Sequence, residues 1–291
     1  MTQDSGSANH GAVRIDAHQH FWQVERGDYF WLTPALEPLY RDFQPDDLAP
    51  LLAAAGVERS LLVQAAQTVA ETEYMLSLAE AADFIAGVVG WVDFESPQAP
   101  DELARLAETP ALKGLRPMIQ DIADPDWMLH PALAPAYAAL TSAGLVFDAL
   151  VKPPHLANLI TLVDRHPEMT AVIDHGAKPD IGGWAPGGPE AGTWAAQMRA
   201  LAERPQISCK LSGLVTEASP DWTLDDLRPY VEVILEAFGP RRVLWGSDWP
   251  VLLLAGDYPR WRAATDQLLA ELSDDERDQV LGGTAARVYG L

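Results

Sequence analysis

Ile15-Asp16-Ala17-His18-Gln19-His20-Phe21-Trp22 follows directly on a polar opening stretch of the chain. Side chains of a strand alternate between its faces, so His18 and His20 point the same way. Two imidazoles on one face at a strand end can hold a metal ion, a water or a substrate oxygen. They are equally compatible with one buried histidine and an incidental second. What decides between these is whether other strands deliver matching groups to the same place.

The rest of the chain is consistent with that. Short apolar runs rich in Val, Ile and Leu recur along the sequence, separated by Ala/Leu/Glu segments with helical spacing. Such alternation predicts βα units and a parallel sheet. The strands expected are Arg14 to His20, Ser60 to Ala65, Ala86 to Val92, Leu112 to Pro117, Leu145 to Leu150, Ala171 to His175, Ile207 to Ser212 and Val243 to Ser247. Eight strands is the number that closes an α/β (β/α)8 TIM barrel. An open doubly wound sheet is the rival, but its glycine-rich nucleotide turn is missing.

Helices are expected from Gln44 to Gly56, Glu71 to Ala82, Pro131 to Ala143, His155 to His166, Thr193 to Arg204, Leu224 to Phe238, Trp261 to Leu272 and Asp274 to Leu281. Gly56, Gly144 and Gly239 supply C-terminal stops, and Pro167 and Pro205 block extension. Two irregular stretches follow strand ends, Gln23 to Gln44 and Gly182 to Pro189. Barrel enzymes build their sites at that end, so the first is expected to form a lid or pocket wall.

The 291 residues fit one barrel, expected over residues 13–291 as a single domain after a disordered tail of residues 1–12. An apolar fraction of 48% is ordinary for a globular core. No apolar run reaches the roughly 18 residues that span a bilayer, and the opening stretch lacks the blocks of a secretory signal. The formal charge of −22 repels nucleic-acid phosphates and anionic membranes, so neither is an expected partner. Cys209 is the only cysteine, which excludes an intramolecular disulfide and makes a cytoplasmic setting the expectation. Within Ile207-Ser208-Cys209-Lys210-Leu211 it is expected to fill core space.

Further candidates for chemistry sit at strand ends. His175 ends the sixth strand in Val172-Ile173-Asp174-His175-Gly176. Asp248 follows the eighth in Trp245-Gly246-Ser247-Asp248-Trp249-Pro250, and Pro250 cannot extend a paired strand, which leaves Asp248 at the rim. In a closed barrel, His18, His20, His175 and Asp248 meet at one mouth. Each alone has a plain structural explanation; four at one face are harder to dismiss.

These motifs carry a resemblance. Asp16 to Trp22, Lys113-Gly114-Leu115-Arg116-Pro117, Ile173 to Pro179, Cys209-Lys210-Leu211-Ser212-Gly213-Leu214 and Gly246 to Pro250 together resemble the amidohydrolase superfamily, over Arg14 to Leu291. Within it they look like the lactonase branch, which includes L-fuconolactonase-type sugar lactonases and pyrone-dicarboxylate lactonases. One departure is Thr284, in Gly282-Gly283-Thr284, where the superfamily often has asparagine. A larger one is the fifth strand, Leu145-Val146-Phe147-Asp148-Ala149-Leu150, which lacks the histidine that two-metal members carry. Lys113 lies on the fourth strand, but alternation puts it on the face opposite Arg116. The resemblance therefore implies one divalent ion, zinc by preference, or no required cofactor.

Opening a lactone needs a deprotonated water and stabilisation of the charge growing on the carbonyl oxygen. Asp248 is the expected general base. His18, His20 and His175 would either ligate an ion together with Asp248 or donate hydrogen bonds to the oxyanion. Arg116 is the foremost expected substrate contact, with a barrel-interior ion pair as its structural alternative. Gln64, Gln67 and Trp91 after strands two and three, Trp22 and Trp31 after strand one, and His155 after strand five could bind sugar hydroxyls or stack on a ring, or simply pack. Glu217 is a further possibility.

The expected function is a hydrolase that opens an L-fucono-lactone or a related aldono-1,4- or 1,5-lactone. The alternatives are a dicarboxylate lactone hydrolase, a metal-dependent decarboxylase on the same fold, and a sugar-binding barrel without turnover. The partner is a small-molecule sugar lactone. Oligomeric state is open, with a homodimer among the choices.

Overall fold

The computed structural model describes residues 12–185 and 187–291. The disordered tail expected over residues 1–12 therefore lies outside the described residues up to position 11.

Eight parallel strands form one sheet in chain order: β1 (Ile15–Gln19), β2 (Arg59–Val63), β3 (Ile85–Gly90), β4 (Leu112–Leu115), β5 (Val146–Ala149), β6 (Ala171–Ile173), β7 (Ile207–Leu211) and β8 (Val243–Trp245). The sheet curls until its ends meet. Just past β8, the Asp248 amide donates to the His18 carbonyl at 2.8 Å, and the His20 amide to the Trp249 carbonyl at 2.8 Å. Every expected strand is present, one or two residues shorter at its C-terminal end, because the chain there turns out of the sheet into the loops of the mouth.

The helices are α1 (Pro45–Ala55), α2 (Val69–Ala81), α3 (Ala99–Ala107), α4 (Ala134–Ser142), α5 (Leu156–Arg165), α6 (Pro189–Ala202), α7 (Leu224–Phe238), α8 (Tyr258–Leu268), α9 (Asp274–Asp278) and α10 (Thr284–Tyr289). Local sequence explains their ends. In α1, Gln44 and Asp47 form a reciprocal capping box, proline occupies the first turn, and Gly56 closes the helix in the left-handed region. Helix α7 turns Leu227, Tyr230, Val231, Ile234 and Phe238 onto the barrel. Each such side chain, fully buried, contributes roughly 1.5–3 kcal/mol.

Some expectations need correction. Helix α3 has no counterpart in the sequence reading, because Pro100 inside Ala99-Pro100-Asp101-Glu102 looks like a breaker; it occupies the first turn, where no amide is needed. Helices α6 and α8 start earlier than expected, again at prolines tolerated in a first turn. The helix expected to Leu281 stops at Asp278 and passes into a π-turn, Gln279–Gly283. There a Cβ on Gly282 would collide with the Val13 carbonyl.

The interior divides into two apolar clusters. Inside the barrel lie Ile15, Ala17, Leu61, Val63, Val89, Val146, Val172 and Leu244, joined from α10 by Ala285 and Tyr289. Helix α10 closes the end of the barrel opposite the mouth, where Lys113 at the start of β4 donates to the Gly290 carbonyl at 3.1 Å. The larger cluster fills the layer between strands and helices. Among the described residues, no helix is long and apolar enough to cross a membrane.

Candidate active site

The mouth is built from strand ends. His18 lies in β1 and His20 just beyond it, on one face; their rings are 4.9 Å apart. His175 and Asp248 follow β6 and β8 in turns that hold both residues at positive φ, 53° and 58°. Non-glycine residues seldom occupy that region, and where they do the strain marks a site whose surroundings enforce it. Here it tips both side chains inward. Gly213, at φ 62°, lets the chain after β7 pass against the His175 ring.

The four groups converge. Asp248 Oδ1 lies 3.3 Å from His20 Nε2, 3.7 Å from His18 Nε2 and 3.8 Å from His175 Nε2. All four residues are buried. Each ring is held from behind. His20 Nδ1 is 2.7 Å from the Val63 carbonyl, and His175 Nδ1 is 2.9 Å from Ser212 Oγ. His18 Nδ1 lies 3.3 Å from Lys210 Nζ and 3.4 Å from Asp174 Oδ1.

Burial disfavours charge on every member, but neighbours change the outcome. Burial alone would raise the Asp248 carboxyl; the imidazoles around it, His175 foremost, outweigh that and hold it well below the usual carboxylate range. Burial lowers His175 to about 4 and pushes His18 and His20 below the ordinary histidine range. At neutral pH the site holds an ionised carboxylate among neutral imidazoles.

Arg116, 3% exposed, reaches in from just beyond β4. Its NH1 approaches His18 Nε2 at 3.2 Å and Asp174 Oδ2 at 3.3 Å, and its NH2 bonds the Gln64 carbonyl. Its Nε, though buried, has no partner among the described residues.

These residues floor a cavity of about 260 Å³. His20, His175, Asp248 and Arg116 lie at its base; Trp31, Leu36, Leu39, Met118, Leu150, Val251 and Leu254 supply a largely apolar wall, and Gln120, Asp121 and Lys178 a polar edge. The long stretch after β1 thus furnishes pocket wall, through Trp31, Leu36 and Leu39. Trp31 Nε1 donates to the Ala65 carbonyl at 2.7 Å, which fixes its ring.

Other candidates sit elsewhere. Gln64 is fully buried behind Arg116, and its amide donates to the Arg116 carbonyl at 2.6 Å. Trp91 and His155 do not line the cavity. The Trp91 amide and carbonyl are tied to Thr72, and His155 Nδ1 accepts the Lys152 amide at 3.1 Å, completing a helix start. Trp22 is core, with Nε1 on the Arg41 carbonyl. Gln67 is exposed. Glu217 and Trp184 line a neighbouring cavity, where Glu217 pairs with Lys178 at 3.8 Å. Cys209 is buried, and burial pushes its thiol up, out of nucleophilic range. The apolar wall after β8 and the ion pairs of Asp148, Asp174 and Lys210 escaped sequence reasoning. The first reads as ordinary core sequence; the second requires knowing which strands adjoin.

The donor set suits a metal ion. Carbonyl oxygens only accept, so His20 Nδ1 carries a proton toward Val63, and His20 Nε2 is bare. It then faces an ionised oxygen of Asp248 at 3.3 Å, a pair that needs a proton or a cation between them. His18, His20 and Asp248 offer ligand atoms close enough to share one ion, as do His18, Asp174 and His175.

Comparison with known proteins settles the family. A model of the amidohydrolase family matches residues 15–291. This chain is an amidohydrolase. The amidohydrolase is 48% identical over 282 residues to L-fucono-1,5-lactonase of Burkholderia ambifaria, covering 96% of each chain. It is 39% identical over 290 residues to L-fucono-1,5-lactonase of Burkholderia multivorans, covering 97% of each. A crystal structure of an amidohydrolase from Burkholderia multivorans with bound zinc superimposes with a TM-score of 0.90 at 38% identity, covering 96% of this chain and 100% of that one.

Proposed function

We propose that this amidohydrolase opens the lactone ring of a sugar acid, L-fucono-1,5-lactone or a related aldonolactone, to the free acid. The observation that carries this is the convergence of three imidazoles on the Asp248 carboxylate at the base of a cavity that also presents Arg116.

Asp248 is the base. Its carboxylate takes a proton from water as the water oxygen bonds the lactone carbonyl carbon. Negative charge moves to the carbonyl oxygen, where the N–H groups of the Arg116 guanidinium stabilise it. When the ring C–O bond breaks, the proton on Asp248 passes to the departing alkoxide, and the carboxylate is restored. An alkoxide leaves more readily than an amide nitrogen, so this residue set is matched to an ester. His18, His20 and Asp248, with His175 as a fourth, are the residues that would hold a divalent ion, zinc foremost. Such an ion would supply Lewis-acid polarisation of the carbonyl.

The apolar wall of Leu36, Leu39, Val251 and Leu254 suits a sugar with a deoxy carbon. A dicarboxylate lactone is less well served, because among the described residues the Arg and Lys side chains lining the cavity are Arg116 and Lys178 alone. The test is proton release in a pH-stat across aldono-1,4- and 1,5-lactones, with a pyrone dicarboxylate included. Turnover of a deoxy-hexonolactone is expected. No release above the spontaneous rate with any sugar lactone rejects the proposal.

A further inference from the structure

We propose that the cavity beside the catalytic one is a glycosyl subsite, so that the lactones taken include sugar lactones carrying a second sugar ring on one hydroxyl. The proposal rests on the lactonase reading for turnover, but not for the binding of the second ring.

This second cavity, about 480 Å³, lies among the segments that follow β5, β6 and β7. It is therefore on the same face of the barrel as the carboxylate cluster, whose own cavity of about 260 Å³ has room for a single lactone ring. Lys178 lines both. Its place is enforced by the backbone. His175, Gly176, Ala177 and Lys178 all hold φ between 50° and 63°, and the Lys178 amide donates back to the His175 carbonyl at 2.9 Å. Three of these four residues are not glycine, a cost retained only where the surroundings over-determine the turn. The two cavities thus share a boundary, and a ring substituent directed past Lys178 enters the second.

The lining there suits a neutral sugar. Trp184 is half-buried and Pro154 exposed, so both offer apolar surface that is not sunk in the core. The C–H face of a pyranose packs on such a surface. Around them stand Lys152, Lys178, Asp180, Glu190 and Glu217. Carboxylates only accept hydrogen bonds and ammonium groups only donate them, whereas a hydroxyl does both. Three acids against two amines give an anion no attraction, so a phosphate or the released carboxylate is a poor occupant. A polyol with one apolar face meets every kind of group present.

The platform is ordered before any ligand arrives. The Trp184 amide donates to the Asp180 carbonyl at 2.9 Å, and the Gly183 amide to Asp180 Oδ1 at 2.9 Å. The Gly182 amide donates to the Glu217 carbonyl at 2.9 Å. The loop after β6 is thus closed on itself and pinned to the segment after β7, and binding loses little to loop ordering. A single ring seated over Asp248 leaves this cavity unused.

The test compares the sugar lactone turned over best with its mono-O-glucosyl derivatives, one for each ring hydroxyl, on the full-length chain. At least one derivative is expected to exceed its parent about tenfold in kcat/KM. Trp184→Ala is expected to lower the ratio of derivative to parent about tenfold, and Lys152→Met, at an exposed position, about threefold. A second arm needs no turnover: calorimetry with L-fucitol and its mono-O-glucosyl derivatives. One glucosyl form is expected to bind about tenfold tighter than fucitol and to lose that advantage in Trp184→Ala. The proposal is overturned if no derivative surpasses its parent in either arm, or if neither variant moves the ratio. Tighter binding of a glucosyl form without turnover of any lactone counts against the lactonase reading alone. Turnover with no gain from glucosylation counts against the subsite alone.

Discussion

His20 Nε2 lies 3.3 Å from Asp248 Oδ1 although the two residues are 228 positions apart. The contact exists because the last strand closes on the first, and the backbone bonds of that seam flank both residues. Closing the barrel and bringing the Asp248 carboxylate to its first imidazoles are one event.

Asp248→Asn should therefore leave the barrel intact and remove the proposed base. Loss of a positioned general base typically costs about 10²–10⁴-fold in rate. Circular dichroism should be unchanged while kcat for a sugar lactone falls by that amount; near-normal turnover would refute the assignment.

Arg116→Met keeps the volume and apolar stem but removes the guanidinium. A charge-assisted hydrogen bond lost from the bound state corresponds to roughly 1.5–3 kcal/mol, or about 10- to 150-fold in kcat/KM. If Arg116 were only an interior ion pair, thermal stability would drop and the folded fraction would keep its efficiency.

Zinc added to chelator-stripped protein should bind at one site, measured by calorimetry and elemental analysis. His20→Asn and His175→Asn should each weaken it by more than about tenfold, while His155→Asn should not. Equal binding by all three variants would place the ion elsewhere.

Acid should destabilise the metal-free protein over a defined window. Burial lowers His175 to about 4 from its ordinary 6.5. Between those values the unfolded chain binds a proton that the folded one refuses, so stability is full above about pH 6.5 and falls as pH drops toward 4. At 1.36 kcal/mol per pH unit the loss is on the order of 3 kcal/mol. Chemical denaturation of wild type and His175→Asn across this range checks it: the variant should show a shallower slope.

Gly213→Ala probes the support behind His175. A Cβ there would strike the ring at Nδ1, and the residue sits at φ 62°. The backbone alone would cost about 1–2 kcal/mol, and the ring would be driven off Ser212. Both melting temperature and kcat should fall; a variant that loses only stability would show that His175 keeps its place without this packing.

The barrel and its mouth were legible because strand periodicity is local. His18 and His20 share a face by alternation, and His175 and Asp248 announce themselves by following apolar runs. The helix α3 was hidden by Pro100, which a first turn tolerates. The buried ion pairs were hidden for another reason: Asp148, Asp174 and Lys210 belong to three strands, and only strand order makes them neighbours. Gln64, Trp91 and His155 follow strands as the expected contacts should, yet backbone and helix-start bonds hold them away from the cavity. Position after a strand does not tell which way a loop residue turns.

The wall formed by Leu36, Leu39, Val251 and Leu254 presents side chains that neither donate nor accept a proton. Substitutions there can reshape which ring substituent is welcomed without shifting the groups that break the bond. Substrate preference in this scaffold is thereby free to drift, under selection, while the reaction it performs stays the same.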